Sequence, residues 1–476
     1  MDGSRGNRAT PTMPIRLPAG LMVSVSGFRG RVGESVTPEL FAGLAAAYGS
    51  FLRAEGDGDH VVVGRDSRTS GPMLARAAVA GLLSAGCRVT ELGIVPTPTL
   101  MLAVRDTGAA GGLGVTASHN PAEWNALKFA VKGGTFLPPD RMARFQARVR
   151  TEDPARAPWN GITIPVRDDS WPGRHLERIL GLPFLDPEQI RAQRISVALD
   201  CVNGVGGVIM PQLLARLGCE VHGMGLEPHG RFPRDPEPTA ANLSRLGALV
   251  TDSGARVGLA VDPDADRLSL VDERGRPLGE DLTLALAADV VLARRPGTVV
   301  TNLSTSRVLD DVAAKHGCRV IRAPVGEINV VVRMMAEEAV VGGEGNGGVI
   351  VPALHHTRDA AAGAALLLQF LAGEPGVPLS ERIAHLPSYH IVKEKVSFPR
   401  DRLEDAYAAL VRDLPAGDSD RSDGLRLEWP AEASWLHVRP SGTEPVVRLI
   451  AEARRPASAR SLVDGARGTL RTVAAG

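Results

Sequence analysis

Four short polar stretches of this sequence each follow an apolar run, and each is built from residue types that bind or move charged groups. The first is Thr116-Ala117-Ser118-His119-Asn120-Pro121, entered through Gly111-Gly112-Leu113-Gly114-Val115 and closed by Asn-Pro, which initiates turns. Ser118 is therefore expected on a tight loop past a strand, near free backbone N–H groups that favour an anion. A lone serine here would be a loop cap. A hydrolase would need a Gly-x-Ser-x-Gly elbow, which this stretch is not. His119, as the next residue, would ordinarily turn its ring away from Ser118. The reading that accounts for Ser118 together with the other stretches is a serine that carries a phosphoryl group and passes it on.

The second stretch is Asp262-Pro263-Asp264-Ala265-Asp266-Arg267, after the apolar Val257 to Val261. In an extended segment residues i, i+2 and i+4 face one side, so three carboxylates converge. They repel unless a cation neutralises them, and an all-oxygen set suits Mg²⁺ or Mn²⁺. Asp262, Asp264, Asp266 and Glu273 also match positions of an EF-hand loop, but Arg267 stands where glycine is required and the flanks read as strands, so that loop is rejected. In the third stretch, Glu344-Gly345-Asn346-Gly347-Gly348, glycines let the loop close on a ligand, while Glu344 and Asn346 suit sugar hydroxyls. The fourth, Arg439-Pro440-Ser441-Gly442-Thr443-Glu444-Pro445, gathers Arg, two hydroxyls and the backbone N–H groups around Gly442 into an anion cradle. Arg29, between glycines, and Lys128, which interrupts the apolar Ala126 to Val131, each read singly as surface residues. Lys128 near Ser118 would assist proton transfer.

The elements that must position these stretches alternate. Strands are expected at 21–25, 61–63, 87–93 and 126–131, with helices at 73–85 and 98–104 between them, as in a parallel α/β sheet. Residues 150–168 read as a Pro-rich linker. A second unit opens at Ile195 and turns through Asn203-Gly204-Val205-Gly206-Gly207, where a dinucleotide fingerprint lacks its third glycine because Ile209 stands there. A third unit begins near Glu280. The three share a loose strand–loop–helix–strand grammar with a polar loop at comparable places, which suggests internal repeats. The last unit, from about His390, differs.

With 476 residues there is room for three or four domains. Lys plus Arg equals Asp plus Glu at 54 each, so the basic excess of a nucleic-acid or anionic-membrane binder is missing. The four cysteines are scattered and form no Cys-x-x-Cys pair. Residues 1–18 are polar and read as a disordered lead, and the apolar run Ala360 to Gly373 is too short to span a membrane. A soluble cytoplasmic protein is expected, a monomer or homodimer.

Taken together and in order, the four motifs resemble the α-D-phosphohexomutase superfamily over nearly the whole chain from Pro18. The resemblance implies an α/β protein of four domains around a central cleft: three similar mixed α/β sheet domains (19–167, 168–276, 277–388) and a C-terminal α+β phosphate-binding domain (389–476). It implies Ser118 as a phosphoserine joining Asp262, Asp264 and Asp266 around Mg²⁺. Arg29, Lys128 and His119 complete the catalytic group. Glu344 and Asn346 would hold sugar hydroxyls, Arg439, Ser441, Gly442 and Thr443 the non-transferred phosphate, and Arg267 is placed with the substrate-binding residues. The substrate would be a small sugar phosphate, with a hexose 1,6-bisphosphate as intermediate. The Glu-x-Asn-Gly-Gly form is similar to phosphoglucosamine mutases, and Glu327, where glucose- and mannose-type members often have histidine, would pair with a sugar ammonium. A phosphomannomutase/phosphoglucomutase is the alternative.

Overall fold

The computed structural model describes residues 14–441 and 446–475. The alternation of short apolar strands with helices produces three sheets on one plan. The first orders its strands Met22–Ser24, Gly27–Arg31, Trp124–Val131, Gly111–Val115, His60–Arg65, Arg88–Ile94 and Val166–Arg167, with Thr135–Phe136 paired to Trp124–Val131. Gly111–Val115, His60–Arg65 and Arg88–Ile94 run parallel, and Trp124–Val131 is antiparallel to Gly111–Val115. The second sheet orders Glu220–Met224, Ser196–Asp200, Val257–Val261 and Leu268–Asp272, three parallel and the last antiparallel. The third repeats this with Val320–Ala323, Val299–Asn302, Val341–Glu344 and Gly348–Ile350.

The repeat explains where the polar stretches lie. In each sheet the loop that leaves a parallel strand for its antiparallel partner is the one singled out above: 116–123, 262–267 and 345–347. In α/β sheets of this kind ligand-binding groups collect at the C-terminal exits of the buried parallel strands. All five residues of Gly111–Val115 and of Val257–Val261 are buried, as are all four of Val341–Glu344.

The last unit is a five-stranded sheet, ordered His390–Ser397, Val446–Ala453, Ser434–Pro440, Leu425–Trp429 and Asp418–Asp420, backed by helices Leu403–Asp413 and Pro456–Ala475. Every pairing in it is antiparallel, so it is a different architecture from the other three.

The units share cores. One apolar cluster runs from Leu176 through Val257 to Leu379 without a break between the second and third sheets. Another joins Leu100 and Met101 of helix Thr97–Asp106 to Ile328 and Val331 of helix Glu327–Ala336. The stretch read as a linker contributes Val166–Arg167 as an edge strand of the first sheet. Two residues after a proline carry no periodicity, so only the neighbouring strand reveals them. The apolar run Ala360–Gly373 forms one buried helix, and no helix among the described residues is long and apolar enough to cross a membrane.

Candidate active site

Ser118 lies at the exit of Gly111–Val115, 3 % exposed and with φ of +48°. That left-handed conformation costs a non-glycine residue about 1–3 kcal/mol and persists only where surroundings impose it. Here the imposing group is Arg68, fully buried after strand His60–Arg65. Its Nη2 donates to Ser118 O at 2.5 Å and Asn120 O at 2.6 Å. Its Nη1 donates to Pro121 O at 2.5 Å and Trp124 O at 3.1 Å, and Nε to Asp66 Oδ2 at 2.9 Å. One planar fork thus satisfies four loop carbonyls. Arg68 stood unremarked in the sequence because nothing local distinguishes Asp-Ser-Arg-Thr-Ser from any polar loop. Lysine cannot reproduce the fork, so Arg68→Lys is expected to lower kcat by ~10–100-fold, the scale on which misplaced groups are felt. Turnover measured beside amide exchange at 116–124 checks it.

The left-handed turn also overturns the expected direction of His119. Its Nδ1 lies 3.4 Å from Ser118 Oγ rather than pointing away. Burial, then the charges of Arg267 and Arg29, push the imidazole pKa well below its usual value. Arg29 Nη1 donates to Asn120 Oδ1 at 2.6 Å, which places the guanidinium beside the serine loop.

Ser118 Oγ donates to Asp262 Oδ2 at 2.8 Å. The aspartates converge through a turn, not through extended alternation. Asp262 Oδ1 accepts from the backbone N–H groups of Asp266 and Arg267 at 3.1 and 3.2 Å, and Ala265 has a φ of +54°. The three carboxylates are at most 1 % exposed, each with an oxygen within 4.8 Å of the others. Burial, then Asp266 and Asp264, push Asp262 well above the usual carboxylate range. Burial acts the same way on Asp264, but Lys128, with hydrogen bonds from Lys128 and Thr97, brings it net below. Lys128 Nζ donates to Asp264 Oδ2 at 2.9 Å and Thr97 Oγ1 to the same oxygen at 2.8 Å. Lys128 is thus buried in the site, not on a wet strand face. Asp264 Oδ1 and Asp266 Oδ1 are buried without a hydrogen-bond partner. Two orphaned oxygens in an all-carboxylate set fit a hard divalent cation such as Mg²⁺.

A second arginine ties this cluster to the glycine loop. Arg358 Nη2 donates to Asp266 Oδ2 at 2.5 Å, Nη1 to Glu344 Oε2 at 2.7 Å, and Nε lies 3.2 Å from Glu327 Oε2. Its backbone N–H donates to Glu327 Oε1 at 3.0 Å. Glu344 Oε1 accepts from Asn302 Nδ2 at 2.9 Å and Gly326 N at 3.1 Å. Asn346 Nδ2 lies 3.4 Å from Glu344 Oε2. Burial raises Glu327 to about 7 despite Arg358, because three carboxylates share one guanidinium. Gly347, at φ +86°, brings the loop against strand Leu268–Asp272: a Cβ there would meet Leu268 O at 2.4 Å, and Leu268 N donates to Gly347 O at 2.9 Å. Arg267 reaches Glu237 Oε1 at 3.4 Å, and His119 Nε2 lies 4.0 Å from the same oxygen.

Arg439 is held by Asp423, with Nε donating to Oδ2 at 2.9 Å and Nη2 to Oδ1 at 3.3 Å. Asp423 Oδ2 also accepts from Val325 N at 3.0 Å, and His437 Nδ1 lies 2.8 Å from Ser304 Oγ. The last unit is thus tied to the third sheet beside Glu327. Ser441 N donates to Val446 O at 2.8 Å, and Ser441 O accepts from Arg400. Gly442 and Thr443 lie outside the described residues.

Comparison with known proteins matches all four units. Residues 21–156, 174–275 and 279–389 match phosphoglucomutase/phosphomannomutase α/β/α domains I, II and III, and 402–467 match the C-terminal domain. A phosphoglucomutase/phosphomannomutase of Thermococcus kodakarensis is 38% identical over 94% of this chain and 97% of the relative. A probable phosphoglucosamine mutase of Methanopyrus kandleri is 38% identical over 94% of this chain and 96% of the relative. The crystal structure of a phosphoglucomutase/phosphomannomutase family protein from Burkholderia thailandensis superposes with a TM-score of 0.81 at 28% identity, over 95% of this chain and 98% of that one.

Proposed function

Because the chain belongs to the phosphoglucomutase/phosphomannomutase family of the α-D-phosphohexomutase superfamily, we propose that it interconverts glucosamine 6-phosphate and glucosamine 1-phosphate through a phosphorylated Ser118. The observation that carries the transfer chemistry is the 2.8 Å contact of Ser118 Oγ with a buried carboxylate trio that Arg358 joins to Glu344 and Glu327.

A hydroxyl of the bound sugar phosphate attacks phosphorus on Ser118, so a new P–O bond forms as the serine P–O bond breaks. The sugar hydroxyl loses a proton and the serine oxygen gains one. His119, with Nδ1 3.4 Å from Oγ, is placed to relay a proton at the serine oxygen, while Arg29 and Lys128 supply positive charge beside the transferring group. Asp262, Asp264 and Asp266 would hold Mg²⁺, which neutralises charge on the phosphoryl group, the main demand of this chemistry. The resulting 1,6-bisphosphate turns over in the cleft and returns its other phosphoryl group to Ser118. Reorientation needs separate grips for sugar and distal phosphate. Glu344, Asn346 and Arg267 would serve the first; Arg439, Ser441, Gly442 and Thr443 the second.

The amino sugar is favoured by charge. Glu327 and Glu344 share Arg358 with Asp266, so the pocket lacks positive charge that an ammonium would supply. The test is a coupled mutase assay of kcat/KM on glucosamine, glucose and mannose phosphates. Glu327→Gln is expected to cost glucosamine 6-phosphate about 10-fold or more, the worth of one charged hydrogen bond, and glucose 1-phosphate a few-fold at most. Equal losses would remove the role of Glu327. A wild-type preference for glucose or mannose would favour the phosphoglucomutase/phosphomannomutase reading.

A further inference from the structure

Behind the glycine loop, a buried chain of polar side chains runs across the sheet-bearing units. Thr99 Oγ1, on helix Thr97–Asp106, lies 2.9 Å from His175 Nδ1 on helix Trp171–Leu180. His175 Nε2 lies 2.8 Å from Asp359 Oδ2, and His355 Nε2 lies 3.0 Å from the same oxygen. The other oxygen, Oδ1, accepts from the backbone N–H of Ala361 and Ala362 at 2.9 and 3.1 Å, capping helix Ala360–Gly373. None of the four side chains belongs to the transfer site, and each is at most 1 % exposed.

We propose that Thr99, His175, His355 and Asp359 form a positioning relay that holds Arg358 in its bridge between the metal loop and the sugar carboxylates. Arg358 immediately precedes Asp359, and its placement is unusually demanding. One guanidinium must meet Asp266, Glu344 and Glu327 from three directions while its own N–H meets Glu327. A side chain with that many rotatable bonds meets three fixed carboxylates only if its backbone is fixed as well. The relay fixes it from outside. Asp359 is held on both oxygens, His175 anchors it to the first sheet's helix through Thr99, and Arg105 of that helix donates to Leu354 O at the start of the same segment. A carboxylate only accepts, so both imidazoles present an N–H at Nε2. Two imidazoles and a carboxylate also form a potential transition-metal set. The hydrogen-bond reading is preferred because all four Asp359 contacts fall at hydrogen-bond lengths with both of its oxygens engaged.

His175→Asn and His175→Gln separate the halves of the relay. The asparagine amide sits near Nδ1 and keeps Thr99 but not Asp359; the glutamine amide sits near Nε2 and keeps Asp359. Amide exchange over 354–359 is expected to rise in His175→Asn and to stay near wild type in His175→Gln. This readout needs no activity. The kinetic arm rests on the mutase reading: kcat/KM should fall ~10–100-fold in His175→Asn, as for misplaced binding groups, and within about twofold in His175→Gln. In an Arg358→Lys background the His175→Asn effect should largely vanish, as it must when two residues act through one contact. Equal exchange in both His175 variants, or additive kinetic losses, would overturn the relay, as would stoichiometric zinc bound to the purified wild type. If the wild type turns over no hexose phosphate, the function fails while the exchange comparison still decides the relay. Should His175→Asn not fold, His355→Asn, which withdraws the second imidazole from Asp359 Oδ2, is expected to raise exchange over 354–359, and unchanged exchange would count against the relay.

Discussion

Ser118→Ala is expected to lose at least roughly 10³-fold in turnover, the scale of removing a nucleophile that acts with a positioned partner. The fold should survive. The substitution deletes one hydroxyl whose single strong contact is Asp262, a carboxyl that burial and its neighbours already hold above its usual range. Losing that bond costs about 1 kcal/mol. The left-handed backbone at 118 is imposed by Arg68, which grips carbonyl oxygens and is indifferent to the side chain. The variant should therefore melt within a few degrees of wild type while lacking activity. Intact mass should show the wild type, after incubation with a hexose bisphosphate, heavier by one phosphoryl group and the variant unchanged. A phosphorylated or active variant would move the transfer to another residue.

Removing divalent metal with a chelator should lower wild-type turnover by about 10²–10³-fold, the usual worth of one preorganised electrostatic contact to a transferring group, and Mg²⁺ should restore it. Asp262→Asn and Asp264→Asn should both lose that recovery, yet differ in stability. The amide at 262 keeps an acceptor for the N–H groups of Asp266 and Arg267 and removes a carboxyl that resists ionisation, so metal-free stability should change by about 1 kcal/mol or less. The amide at 264 leaves Lys128 buried without a counter-charge, a loss of about 3–5 kcal/mol. Wild type should gain roughly 2.7 kcal/mol at Mg²⁺ one hundred times its Kd, and Asp262→Asn little of that. Thermal melts with and without Mg²⁺ read these differences. An Asp262→Asn protein still stabilised by Mg²⁺ would remove the trio as the metal site.

Some of this was legible in the chain itself. The serine, aspartate and glycine stretches announce themselves because each stands at the end of an apolar strand, where period and composition change within a few residues. Arg68 and Arg358 did not. Both sit in ordinary polar loops, and their roles depend on carbonyls and carboxylates far away in sequence: Arg68 on 118–124, Arg358 on Asp266, Glu327 and Glu344. The direction of His119 was misjudged for a related reason, since its side chain follows from a left-handed φ at Ser118 that a distant guanidinium imposes.

What the order of residues alone determined is the set of loops and the chemistry each can do, because strand exits, glycines and clustered carboxylates are local features with local causes. What only the tertiary structure decided is which loops meet and what keeps them there. Arg68 grips the carbonyls of the serine loop, Arg358 joins carboxylates of the second and third sheets, and electrostatic attraction in a dry interior acts on spatial neighbours whatever their separation along the chain.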